Sequence, residues 1–221
     1  MESGTLYIVS TPIGNLEDLS FRAKRVLSEV DLIAAEDTRK TGILLGTYEI
    51  GTRATSFHSH NAARKTPQLV GKLLEGKSVA LVSDSGTPGI SDPGTALIAA
   101  CIDVKIPVTA VPGPAAFVTA LVLSGKPTNK FVFEGFLSNK SAKRRKQLDA
   151  LKNEKRTVIV YESPHRLKRF LEDFLEVAGD RQIVLARELT KKFEEVRREK
   201  ASEQLRHYTE NKPRGEFIVL F

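Results

Sequence analysis

The sequence predicts an α/β protein built in two parts, and three features of the chain support this. Short apolar runs of strand length alternate with segments whose apolar residues recur at helical spacing. Several of these runs end in loops rich in glycine and proline. The Ser-Gly-Lys-Pro-Thr stretch at 124–128 interrupts the pattern, and a new strand-like run follows it. We therefore predict a boundary near residues 124–129, with domains over 1–125 and 129–221.

The first part alternates strands and helices in chain order. Its strands are expected at 5–10, 31–35, 54–57, 79–82 and 108–111. Its helices are expected at 21–29, 38–45, 62–75 and 95–101. Asp18 or Ser20 is the expected cap of the helix over 21–29, because both types accept hydrogen bonds from a first helical turn.

The second part repeats the alternation with more strands than helices. Its strands are expected at 130–136, 157–161, 182–186, 193–198 and 217–221. Its helices are expected at 167–177 and 202–210. Between its first two strands, residues 139–156 carry eight Lys/Arg, with Leu148 and Leu151 as a thin apolar face. Such a run is usually a solvated helix face, so most of its charge is expected to be exposed.

A long loop follows the apolar strand 79–82 and carries three glycines, two prolines and two aspartates by residue 94. In open α/β sheets, ligands bind outside the carboxyl ends of the strands. Glycine admits a ligand close to the backbone, and proline stiffens the loop. An ordinary turn is the alternative, but turns are usually only a few residues long. The strand ends at 10–15 and 112–114 repeat the pattern, so we predict one binding site made by the three loops.

Charge is distributed unevenly along the chain. The net charge is +7 and the isoelectric point is about 9.5. Residues 1–128 hold 12 Lys/Arg and 12 Asp/Glu, whereas residues 129–221 hold 22 and 15. A basic half favours a polyanionic partner, although basic surfaces also occur without a ligand.

Cysteine and hydropathy restrict the class of protein further. Cys101 is the single cysteine, so no internal disulfide forms, and its apolar helical context favours a buried small hydrophobe. No Cys/His cluster indicates a metal site, and His58 and His60 are read as loop polar residues first and substrate contacts second. No leader or membrane-spanning run is evident, which predicts a cytoplasmic protein that does not associate with membranes.

Six motifs in order carry a family resemblance: Thr11–Asn15 (TPIGN), Glu36–Arg39 (EDTR), Ser83–Gly89 (SDSGTPG), Val111–Pro114 (VPGP), Tyr161–Arg166 (YESPHR) and Ala186–Lys191 (ARELTK). Together they closely resemble the bacterial small-subunit (16S) ribosomal RNA (cytidine-2′-O)-methyltransferases of the tetrapyrrole methylase superfamily. The resemblance covers essentially the whole chain, although longer members carry a further small C-terminal domain and this chain stops at Phe221.

The resemblance implies two α/β domains of the tetrapyrrole methylase type with S-adenosylmethionine in the cleft between them. It also implies 2′-O-methylation of a cytidine ribose in the decoding region of 16S ribosomal RNA, with the RNA in the 30S particle as partner and a homodimer as the working form. The cofactor-binding residues it implies are Pro12, Asp84, Gly86, Pro88, Gly89, Pro112, Gly113, Phe136 and Ala186. The catalytic candidates are Glu36 and Asp37 as base or substrate orienter and Arg39 as ribose or phosphate contact, with Asp84 as the runner-up base. The RNA contacts are His58, Lys143, Arg144, Arg145, Lys146, His165, Arg166 and Arg187.

Two other functions stay open at this point. A small-molecule, precorrin-like methyltransferase of the same superfamily keeps the fold, but the uneven positive charge and the EDTR stretch argue against it. A non-catalytic basic RNA-binding module explains the charge but not the glycine and proline loops. Asp37 also has a purely structural alternative, because an acidic residue at that position caps the following helix.

Overall fold

The computed structural model describes residues 2–221, and they form two compact units. The first unit ends at Ala115 and the second runs from Ala116 to Phe221. This division lies about ten residues before the boundary expected from the Gly/Pro break. The reason is that the apolar stretch before the break forms a helix, Ala116–Ser124, that packs on the sheet of the second unit.

The first unit contains a five-stranded sheet in which every neighbouring pair is parallel. Its strands are β1 Leu6–Val9, β2 Leu32–Ala35, β3 Ala54–Ser56, β4 Val79–Val82 and β5 Val108–Val111. The order across the sheet is β3-β2-β4-β1-β5. Since β4 lies between two neighbours and is buried on both faces, its four residues are all apolar, as is usual for a central parallel strand.

Four α-helices connect these strands: α1 Phe21–Glu29, α2 Thr38–Thr47, α3 Ala62–Leu74 and α4 Thr95–Asp103. Helix α1 spans the predicted range, and Ser20 caps it by accepting a hydrogen bond from the Ala23 N–H (3.0 Å). Two buried clusters hold the layers together, one containing α1 and α2 residues and the other containing α3 and α4 residues. Cys101 lies in the second cluster with no exposed surface, which confirms that it is a core residue.

The second unit contains a mixed five-stranded sheet of order β6-β7-β10-β8-β9. Its strands are β6 Phe131–Phe136, β7 Thr157–Glu162, β8 Gln182–Arg187, β9 Glu195–Lys200 and β10 Phe217–Leu220. Only β6 and β7 pair in parallel, and the other pairs are antiparallel. Its helices are α5 Ala116–Ser124, α6 Ser141–Leu151, α7 Leu167–Ala178 and α8 Ala201–Glu210. The predicted α/β class is therefore confirmed.

No helix within residues 2–221 is long and apolar enough to cross a membrane.

Candidate functional site

The loops after β1, β4 and β5 meet at the carboxyl edge of the first sheet. Thr11 and Gly86 exchange two backbone hydrogen bonds (2.8 and 3.0 Å) and so tie the β1 loop to the β4 loop. The hydroxyls of Ser10 and Thr87 lie 2.8 Å apart. The Thr87 hydroxyl also donates to the Pro114 carbonyl (3.3 Å), which reaches the β5 loop. The three glycine and proline loops predicted from the sequence thus form one continuous surface.

Glycine is required in two of these loops by the backbone itself. Gly86 has φ +80°, a conformation that side chains with a Cβ disfavour. A Cβ on Gly113 would lie 2.9 Å from the Cβ of Ser10, closer than atoms of this kind normally approach. Both glycines therefore permit the loops to pack on one another, whatever ligand they receive.

The predicted cofactor residues of the first unit differ in exposure. Pro112 and Gly113 are exposed, and Asp84 and Gly89 are partly exposed. Pro12, Gly86 and Pro88 are buried beneath the loop surface. The four exposed or partly exposed residues are accessible to a ligand. The three buried residues determine the conformation of the loops.

The carboxylates of this edge are joined in a network between the ends of β2 and β4. Asp84 accepts hydrogen bonds from the Asp37 backbone N–H (2.9 Å) and from the Lys40 Nζ (2.7 Å). The Asp84 backbone N–H in turn donates to Glu36 Oε2 (3.2 Å). Lys40 is thus a further residue of this edge, and its position next to Arg39 at the start of α2 is the sequence signal that points to it.

Asp37 caps α2, as its structural alternative predicted. Its Oδ1 accepts a hydrogen bond from the Arg39 backbone N–H (2.9 Å). The Arg39 guanidinium also donates to both carboxylate oxygens, at 3.1 and 2.7 Å. These contacts with Arg39 hold the pKa of the Asp37 carboxyl well below its usual range. Asp37 therefore stays ionised at neutral pH and is a weak base.

His58 follows β3 at the same edge and is packed against Asn61. Asn61 Oδ1 accepts from the His58 backbone N–H (2.9 Å), and the Asn61 amide lies 3.2 Å from His58 Nε2. The His58 and His60 rings meet edge to face with centroids 5.9 Å apart. Within residues 2–221 no group of three His, Cys, Asp or Glu side chains is arranged to hold a metal ion.

The two cofactor candidates of the second unit have opposite surroundings. Phe136 ends β6 with 54% of its surface exposed, and its ring centroid lies 5.4 Å from that of Tyr161. Ala186 has no exposed surface, since it lies inside β8 between Ile218 of β10 and Val196 of β9. The expectation that Ala186 contacts the cofactor is therefore wrong, because it presents no surface to a ligand.

The basic helix α6 does not expose all the arginines and lysines assigned to RNA. Arg144 is only 2% exposed, and its Nε donates to Asp173 Oδ2 (2.7 Å). The expectation that Arg144 contacts RNA is therefore wrong, because a carboxylate of α7 already satisfies its charge inside the fold. Arg145 is half-exposed and pairs with Glu176 and Asp173. Lys143 and Lys146 are exposed, which leaves them as the available cations of the predicted four.

The remaining predicted RNA residues also divide by their partners. His165 is exposed just before α7. Arg166 pairs with the buried Glu162 (Nε to Oε1, 3.0 Å) and donates to the Leu137 carbonyl (2.6 Å). Arg187 donates to the Arg214 carbonyl (2.7 Å) and pairs with Glu195 (3.3 Å). His165 is thus available to a ligand, whereas both arginines are held by protein groups.

Comparison with known proteins gives consistent matches over the whole chain. The family model for Tetrapyrrole (Corrin/Porphyrin) Methylases matches residues 5–204. The "Ribosomal RNA small subunit methyltransferase I" of Synechocystis is 50% identical over 218 residues, which cover 98% of this chain and 78% of that protein. The protein of the same name from Thermotoga maritima is 48% identical over 217 residues, covering 98% of this chain and 97% of its relative.

Solved structures share the fold at lower identity. Diphthine synthase superposes with a TM-score of 0.78 at 13% identity, covering 99% of this chain and 90% of that one. Uroporphyrin-III C-methyltransferase from Thermus thermophilus, solved in complex with S-adenyl homocysteine, has a TM-score of 0.69 at 17% identity, with 98% and 97% covered. At these identities the likeness concerns the fold alone.

Proposed function

The chain belongs to the tetrapyrrole methylase family, and from this premise we propose that it methylates small-subunit ribosomal RNA with S-adenosylmethionine as methyl donor. The observation that carries the proposal is the near-full-length identity of 48–50% to proteins named ribosomal RNA small subunit methyltransferase I. The finer reaction we propose is methylation of a cytidine ribose 2′-hydroxyl in the decoding region of the 16S RNA. The motifs at the carboxyl edge of the first sheet support it.

The loop surface of the first unit is where we place S-adenosylmethionine. The exposed Pro112–Gly113 segment leaves the backbone open to close approach by a ligand. The carboxylates of Glu36, Asp37 and Asp84 lie at the same edge, where Asp37 is paired with Arg39 and Asp84 with Lys40. S-adenosylmethionine supplies the electrophilic methyl group on its sulfonium. The protein must therefore bind the cofactor, align the ribose hydroxyl with the methyl group and take up the proton that the hydroxyl loses.

Glu36 is the carboxylate best suited to accept the proton of the ribose hydroxyl. Arg39 lowers the pKa of Asp37 and so makes that carboxylate a weak base. Both oxygens of Asp84 are already engaged, Oδ1 by the Asp37 N–H and Oδ2 by Lys40 Nζ. Among the described contacts, Glu36 Oε2 accepts one hydrogen bond, a long one from the Asp84 backbone N–H (3.2 Å). We propose Glu36 as proton acceptor and the Asp37–Arg39 pair as orienter of the substrate.

A polyanionic substrate fits the charge of the second unit. The excess of Lys/Arg lies in the C-terminal half, and Lys143, Lys146 and His165 are exposed there. A small tetrapyrrole substrate remains the second candidate, because solved structures with this fold include uroporphyrin-III C-methyltransferase. Those likenesses stand at 23% identity or less, whereas the ribosomal RNA relatives stand near 50%. The 30S particle as substrate, the homodimer and the cytoplasmic location stay predictions.

Two measurements test the proposal. Calorimetry with S-adenosylmethionine should show saturable binding, and a non-enzymatic RNA-binding module would show none. Methyl transfer from labelled cofactor should then be measured on 30S particles, naked 16S RNA and uroporphyrinogen III, with the modified nucleotide mapped. Methylation of a cytidine 2′-hydroxyl is the expected result. Transfer to the tetrapyrrole alone would overturn the proposed substrate while leaving the family assignment intact.

A further inference from the structure

Two arginines hold consecutive carbonyls of one loop in the second unit. Arg166 Nη2 donates to the Leu137 carbonyl (2.6 Å), and Arg144 Nη1 donates to the Ser138 carbonyl (3.2 Å). The Ser138 N–H donates to Gln147 Oε1 (2.9 Å), and the Lys140 N–H donates to the Ser138 hydroxyl (3.2 Å). Residues 137–140, named here the β6 loop, therefore have their backbone held by three side chains from outside the loop and by the Ser138 hydroxyl within it.

The charge of each arginine is balanced inside the protein. Glu162 has no exposed side-chain surface and pairs with Arg166. Asp173 is 9% exposed and pairs with Arg144. Burial raises the pKa of Glu162, and the adjacent Ser163 N–H and the Arg166 guanidinium oppose that rise. Two guanidinium groups, each paired with a buried carboxylate, thus donate to the β6 loop, through Arg166 Nη2 and Arg144 Nη1.

The β6 loop lies between groups that face solvent. Phe136, immediately before it, is 54% exposed. Asn139 and Lys140 within it are exposed, and so is His165, which neighbours Arg166 in the chain. Strands β6 and β7 are parallel, so both segments leave the sheet at the same carboxyl edge. Fixing the loop therefore fixes where Phe136, Asn139 and Lys140 are presented.

We propose that Arg144 and Arg166 are positioning residues, which hold the β6 loop in place for RNA binding and do not themselves contact phosphate. This rests on the proposed function, in which RNA is the substrate. Contact of an exposed arginine with phosphate would release counterions and steepen the salt dependence of binding. Replacing a positioning arginine should change RNA affinity and turnover while the number of counterions released on binding stays the same.

The test uses variants that leave the net charge unchanged. Arg166→Gln combined with Glu162→Gln removes both charges of one ion pair that holds the β6 loop. Gln147→Ala removes the neutral side chain that accepts the hydrogen bond from the Ser138 N–H of the same loop. For both we expect faster hydrogen exchange at residues 137–140, kcat/KM on 30S particles lower by about tenfold or more, and an unchanged slope of log affinity against log salt for 16S RNA. Gln147→Glu keeps the acceptor but adds one negative charge, so it is used for the exchange measurement alone, where the slow exchange of the wild type should be retained.

Lys143→Ser is the matched comparison. It removes an exposed cation of the same surface, so the salt slope should become shallower by about 0.7–0.9 without any change in loop exchange. Arg166→Gln/Glu162→Gln overturns the proposal if it flattens the slope as Lys143→Ser does, or if loop exchange is unchanged. If the wild-type protein binds no RNA, the proposed function fails, and the hydrogen-exchange result still decides whether these side chains hold the loop.

Discussion

Arg144 and Asp173 form an ion pair that is almost wholly withdrawn from water. Nε of Arg144 lies 2.7 Å from Oδ2 of Asp173, and the two side chains are 2% and 9% exposed. The Ser141 hydroxyl donates to the second Asp173 oxygen (2.7 Å). The pair joins α6 to α7, so an arginine within the most basic stretch of the chain serves the packing of two helices.

The first prediction concerns the stability of this pair. Asp173→Ala leaves the Arg144 guanidinium buried without a counter-charge and should cost about 3–5 kcal/mol in the free energy of unfolding. The double variant Arg144→Met/Asp173→Leu removes both charges and should recover most of that loss, because apolar side chains of similar volume replace a buried pair at little cost. Urea unfolding followed by circular dichroism measures both. A loss below about 1 kcal/mol for Asp173→Ala would mean that water or another group reaches Arg144.

The second prediction concerns the cofactor loops. Gly86→Ala should weaken S-adenosylmethionine binding, because the new side chain strains a backbone at φ +80° and shifts the loop joined to Thr11. Gly125→Ala is the matched control. It has φ +76°, and no atom lies within 4 Å of its new Cβ. Both should lose about 1–2 kcal/mol of stability, and only Gly86→Ala should lose affinity in calorimetry. Equal cofactor affinity in the two variants would remove Gly86 from the site.

The third prediction separates the two neighbouring acidic residues. Glu36→Gln should lower single-turnover methylation of saturating 30S particles by at least about a hundredfold, because a positioned proton acceptor is lost. Asp37→Asn keeps a residue that caps a helix well and should reduce turnover much less. Cofactor affinity should be retained in both. Near-normal turnover in Glu36→Gln would place the proton acceptor elsewhere, with Asp84 the next residue to substitute.

The fourth prediction concerns exposed cations. Replacing Lys143 and Lys146 by Ser should weaken RNA binding and reduce its salt slope by about 1.4–1.8, with cofactor affinity unchanged. The control replaces Lys72 and Lys77, two exposed lysines of the first unit that lie before β4, at the opposite edge of that sheet. Filter binding at salt concentrations from about 50 to about 300 mM measures the slopes. If the two pairs have the same effect, α6 is an ordinary solvated helix.

The fifth prediction concerns pH. Arg39 lowers the pKa of Asp37 below the unfolded value of 3.8, so the stability from this pair is present above that pH and is lost as pH falls through the folded pKa. The stability difference between the wild type and Arg39→Met should therefore be constant near neutral pH and shrink in acid. Thermal unfolding from pH 2 to 7 measures it. A difference that instead grows in acid would show that Arg39 does not act through Asp37.

Much of the architecture follows from local sequence. Helix α1 and its Ser20 cap were predictable because a capping hydroxyl and helical apolar spacing are both local signals. The meeting of the loops after β1, β4 and β5 was also predictable, since the carboxyl ends of parallel strands share one edge of a sheet. The resemblance of the motifs then indicated the family that the comparisons confirm.

The tertiary structure decided which charged side chains are available. Charge counts along residues 139–156 do not distinguish Lys143, which faces solvent, from Arg144, whose partner Asp173 comes 29 residues later on another helix. The same holds for Arg166, which is committed to Glu162 and the Leu137 carbonyl. Sequence by itself determined strands, helices, loop edges and family, because these depend on neighbouring residues. Only the packed fold decided which cations are left for a ligand, because a buried carboxylate captures a guanidinium through contacts between residues distant in the chain.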